Sequence, residues 1–69
     1  MKIEIKELVL NDKRVKLQKR GVFINDSQVA VVTTNKNMST TIKTDNRTIE
    51  AMWLMSEPQI ICEVLDLIR

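Results

Sequence analysis

The sequence predicts an α+β fold: a small antiparallel β-meander of about four to five strands, closed by one or two C-terminal helices. The prediction rests on a few observations. Apolar and polar residues alternate along much of the first half of the chain, the period of half-buried strands. Asn- and Asp-rich steps punctuate the alternation as turns do. After Ser56 the apolar spacing changes to that of a helix.

The elements follow in chain order. Ile3 and Ile5 alternate with Lys2, Glu4 and Lys6, which predicts a first strand. A turn at Asn11-Asp12-Lys13 then leads into KRVKLQKR (residues 13–20), in which Val15 and Leu17 alternate with cations. A three-residue loop there pairs Val9 with Val15 and sets Glu4 opposite Arg20. Ile3, Ile5, Val9, Val15 and Leu17 then share one face, and Arg14, Lys16, Gln18 and Arg20 the other. A slip of one residue would mix the two sets. Gly21, the single glycine, marks a bulge or bend. VFINDSQVAVV (residues 22–32) reads as a hairpin turning at Asn25-Asp26-Ser27. Thr33–Thr41 is a polar surface connection, and TTIK (residues 40–43) a short edge strand.

Residues 47–55 are rich in good helix formers, with Ile49, Met52 and Trp53 at helical spacing, which predicts a first helix. The competing reading is a hairpin turning at Asp45-Asn46 that pairs Ile42 with Ile49. The last helix has a capping box, Ser56 with Gln59, and Pro58 in its first turn. Ile60, Ile61, Val64, Leu65, Leu67 and Ile68 cover an arc of about 160°. The expected inner set is Ile3, Ile5, Val15, Leu17, Val22, Ile24, Val29, Val31, Ile61, Val64, Leu65 and Ile68.

The chain of 69 residues makes one domain, 1–69, strand-rich over 2–43 and helical over 46–69. A domain this small buries only about 60% of the surface its unfolded chain exposes. One cysteine and no histidine leave neither an intramolecular disulfide nor the usual structural zinc sets to reinforce it. That shifts the burden to packing and to a homo-oligomer. The N-terminal residues mix charge with apolar groups, unlike a signal peptide, and no apolar run is long enough for a membrane span. A cytoplasmic protein is the expectation.

Catalysis finds little to work with. There is no His or Tyr to move protons near neutral pH, and no local base beside Cys62, which reads as a small buried hydrophobe. One glycine cannot build a phosphate loop, and the acids are scattered. The expectation is therefore no enzyme, no cofactor and no metal.

Two features carry a binding function. The first is the group Met52, Trp53, Leu54 and Met55. Trp and Met are common interface anchors, and one face of a short element cannot hide them all. The second is the basic segment. Net charge is +4 over residues 1–20 and −2 over residues 57–69. Cations at alternate strand positions stand about 6.6–7 Å apart on one face, close to the phosphate spacing of a nucleic-acid strand. Arg14, Lys16, Lys19 and Arg20 are the candidate phosphate contacts. Against this, bases are usually stacked on exposed aromatics, and the chain holds only Phe23 and Trp53. The favoured function is a small non-enzymatic regulatory or inhibitory protein that binds another protein and self-associates. The alternative is a nucleic-acid-binding protein that uses residues 13–20 on phosphates.

Overall fold

The computed structural model describes residues 1–8 and 18–68. The turn expected at residues 11–13, the pairing of Val9 with Val15, and the side chains of Val15 and Leu17 lie outside the described residues. Among the described residues five strands, β1 (Ile3–Glu7), β2 (Gln18–Ile24), β3 (Ser27–Thr34), β4 (Thr40–Lys43) and β5 (Thr48–Ala51), precede one helix, α1 (Glu57–Ile68). The strands form a single antiparallel sheet in sequence order, so each connection joins neighbours. The expected α+β meander with a C-terminal helix is the fold observed.

Residues 47–55 do not form the expected helix. The hairpin at Asp45-Asn46 forms instead, with Ile42 opposite Ile49. Helix propensity amounts to tenths of a kcal/mol per residue. The hairpin fully buries Ile42 and packs Ile49 against the core, which outweighs it. TTIK is consequently an internal strand, with β5 at the edge.

Opposed residues share a face, and faces alternate along each strand. The inner face carries Ile5, Val22 and Ala30 in one row and Arg20, Val32, Ile42 and Ile49 in the next. Val22, Ala30, Val32 and Ile42 pack with Ile60 and Val64 of α1 to make the core. Ile3, Ile5, Val29, Ile49, Met55 and Leu67 pack around them.

Turn chemistry sets the registers. Asn25 and Asp26 both have positive φ, 50° and 70°, as a two-residue I′ hairpin requires, and both side chains tolerate it. Asn25 also fixes the start of the sheet. Its N–H donates to the Lys2 carbonyl at 2.8 Å, and its Oδ1 accepts from the Lys2 N–H at 3.0 Å. Beyond this turn the register shifts by one residue, because Phe23 opposes Gln28 while Val22 opposes Ala30. Val29 is the extra residue, a β-bulge. The bulge inverts the expected facing of β3: Val32 is buried, and Val31 is on the outer face.

Gly21 is not a bend. It lies within a continuous β2 and has no positive φ. A Cβ there would come within 2.8 Å of Phe23 Cε1 and 3.2 Å of Leu8 Cδ2. The missing side chain makes room for the Phe23 ring on the outer face.

Helix α1 begins at the expected cap, where the Gln59 arm of the capping box is formed. The Gln59 side chain accepts from the Ser56 N–H at 3.3 Å, and Ile60 N–H donates to the Ser56 carbonyl at 3.0 Å. Its core stripe is Ile60, Val64 and Leu67. Ile61 and Leu65 are half-buried beside it, and Ile68 is exposed. Only one edge of the 160° arc meets the sheet. Cys62, about 200° around the helix from Ile60, is exposed and not buried as expected.

Candidate protein-interaction surface

The connection from β5 to α1 carries Met52, Trp53, Leu54 and Met55. Met52 is 82% exposed, Trp53 54% and Leu54 46%. Three consecutive large apolar side chains in water make a patch, unlike isolated surface hydrophobes. Met55 turns inward and packs against the core.

The patch is held from below by a buried hydroxyl. Thr40, on the inner face of β4, donates from Oγ1 to the Trp53 carbonyl at 2.8 Å and accepts from the Met55 N–H at 3.1 Å. One side chain thus satisfies two backbone groups of the connection and fixes its path. This reduces the entropy that a loose loop would lose on binding. One of four threonines in the polar run TTNKNMSTT, Thr40 gives no sign of this role in the sequence, because its partners lie 13 and 15 residues away.

Beside the patch runs β5, the last strand of the sheet and unpaired on its outer side among the described residues. Thr44 N–H donates to the Arg47 carbonyl at 2.8 Å, which makes 44 and 47 a hydrogen-bonded pair. Bonded and non-bonded pairs alternate. Ile49 and Ala51 therefore bond to β4, while the backbone groups of Thr48 and Glu50 point outward from the sheet.

The basic residues are arranged differently from the expectation. Arg20 stands opposite Glu7, not Glu4. With no bend at Gly21, Arg20 shares the inner face with Val22, and Lys19 points to the outer face. Arg20 therefore lies off the face expected for the basic ridge, and Arg14 and Lys16 fall outside the described residues. Arg20 Nε is buried without a hydrogen-bond partner among the described groups. The Gln18 side chain bonds Glu7 at 3.1 Å beside it. On the outer face, Glu4 lies 3.0 Å from Lys2 and 3.4 Å from Lys6. The hydrogen bond from Lys2 is the main cause holding the Glu4 carboxyl below its ordinary value of 4.5. Lys6 also sits 5.2 Å from the Phe23 ring centroid.

Among the described residues no group of three or more His, Cys, Asp or Glu is placed to hold a metal ion. No described helix is long and apolar enough to cross a membrane. No family model matches the chain, and neither a curated protein nor a solved structure is significantly similar to it.

Proposed function

We propose that this protein is a small regulatory or inhibitory protein that acts by binding another protein, with Met52, Trp53 and Leu54 as its contact surface. The observation that carries this reading is their exposure on a backbone held in place by Thr40. A pre-set apolar patch with a Trp near its centre has the composition of a binding hot spot. A cytoplasmic location belongs to the same proposal. Phosphate contact through Arg14, Lys16, Lys19 and Arg20 has less support, because Arg20 turns to the core face of the sheet, where its Nε is buried.

Trp53 is the only tryptophan and reports on its own surroundings. In the free protein its emission should be red-shifted and readily quenched by acrylamide. With a purified partner, first identified as a protein captured by wild type and not by Met52→Ser/Trp53→Ser, the emission should shift to the blue and quenching should fall. Equal capture by both proteins, with each variant folded by circular dichroism, would overturn the reading. A labelled oligonucleotide that binds with steep salt dependence would favour the basic segment instead.

A further inference from the structure

We infer that the free edge of β5 pairs with β5 of a second copy of this chain, antiparallel and about a two-fold axis at Ile49. This deepens the reading of the β5 end as a protein-contact surface and rests on it. The outward backbone groups are those of Thr48 and Glu50, so any added strand must bond there. Self-pairing registers that keep like faces together centre on Thr48, Ile49 or Glu50. Centring on Glu50 sets two carboxylates directly opposite each other, which is destabilising. Centring on Thr48 leaves Ile49 opposite Arg47.

Centring on Ile49 satisfies the chemistry. Thr48 and Glu50 of one copy exchange bonds with Glu50 and Thr48 of the other, about four backbone hydrogen bonds in all. Ile49 meets Ile49 as a non-bonded pair, the type in which side chains approach most closely. It lies on the inner face, already packed against the core on one side and half-buried. On the outer face, Glu50 of the second copy stands beside Thr48, whose other neighbour is Lys43. The acid can therefore reach Lys43 across the short threonine, and symmetry repeats this pair. Both Glu50 and Lys43 are exposed and free to move towards each other. The opposite edge of the sheet is less suited, since Glu4 and Lys6 of β1 and Lys2 just before it are charged, and such charges discourage pairing.

The interface is short, so the dimer should be weak and reversible. Sedimentation equilibrium over a wide concentration range tests it. Wild type should show a monomer–dimer equilibrium. Glu50→Lys and Lys43→Glu should each weaken it about tenfold, because two exposed ion pairs become two repulsions. The double variant Glu50→Lys/Lys43→Glu should return to within about threefold of wild type. Glu50→Pro removes an outward N–H that β4 does not use, and should abolish dimerisation. Melting curves at low concentration would check that each variant folds, and the charge swap remains decisive if the proline variant does not. A wild-type chain that stays monomeric, or a dimer indifferent to all of these changes, would overturn the proposal. A dimer lost only in Met52→Ser/Trp53→Ser would also overturn it, while leaving the patch as the contact surface. Conversely, loss of the patch's role in partner capture with an intact β5 dimer would remove the functional reading and leave this one.

Discussion

The two edges of the sheet solve the same problem in different ways. An edge strand offers unpaired backbone groups to any passing chain. At β1 the exposed side carries Lys2, Glu4 and Lys6 in a linked set of ion pairs, with Lys6 folded over Phe23. At β5 the strand is only four residues long, and its outward positions are Thr48 and Glu50. An exposed Met-Trp-Leu run follows directly. One edge is guarded by charge. The other is short, lightly charged and flanked by apolar side chains. The difference shows that a meander need not treat its ends alike, and that the less guarded end is where association has most to gain.

This contrast can be broken most severely through the core beneath β5. Ile42 is fully buried and lies between β3 and β5. Ile42→Ala should destabilise the domain by about 2–5 kcal/mol, measured by urea denaturation. Ile5→Ala, at a half-buried position on the β1 side, should cost clearly less. Equal losses would mean that the core extends as fully under β1 as under β4.

Two changes of intermediate size should each affect one side alone. Gly21→Ala drives a methyl group into the Phe23 ring and Leu8, and should cost about 1–3 kcal/mol. Hydrogen exchange should quicken at β1 and leave β5 unchanged. Thr40→Val keeps the shape but leaves the Trp53 carbonyl and the Met55 N–H without their partner, also at about 1–3 kcal/mol. Here exchange should quicken between β5 and α1, and Trp53 should become more quenchable. If either variant loosened both edges equally, the edges would be one cooperative unit.

The smallest effect is that of acid on the β1 edge. The Glu4 carboxyl is held below its ordinary value by Lys2, then by Lys6. Its contribution to stability is therefore fully present above about pH 4.5 and lost as pH falls through the lower folded-state value. Because Glu4 is solvent-accessible, the loss should be slight. It should vanish in Lys2→Ala/Lys6→Ala, as read from melting temperature against pH.

Local signals proved legible where neighbours in sequence supply the chemistry. Ser56 and Gln59 announce the helix start, and the Gln59 side chain does reach back to Ser56. Asn25-Asp26-Ser27 announces the hairpin; Asn25 and Asp26 adopt the left-handed conformation it needs, while Ser27 already belongs to β3 and pairs with Ile24. The sites that were misread depend on distant partners. Val31 and Val32 are indistinguishable by composition, and only the bulge at Val29 decides which is buried. Gly21 reads as a bulge or bend, but the register shift falls between Val22 and Phe23, and the glycine instead gives room to the Phe23 ring. Arg20 changes face because β2 runs straight through that glycine. Of the candidate contact residues, exposure of Met52, Trp53 and Leu54 follows from the hairpin that replaced the expected helix, while Met55 joined the core.

The sequence by itself determined the class of the fold, the last helix and the turn at Asn25-Asp26. Each of these depends on interactions within a few residues, where periodicity and turn chemistry act directly. Only the tertiary structure decided the facing of β3, the strand character of residues 48–51 and the fixed path of the Trp53 segment. These depend on which surfaces meet across the sheet. Burial of Ile42 and Val32 and the reach of Thr40 to Trp53 involve free energies larger than local preferences, and they arise only when remote parts of the chain come together.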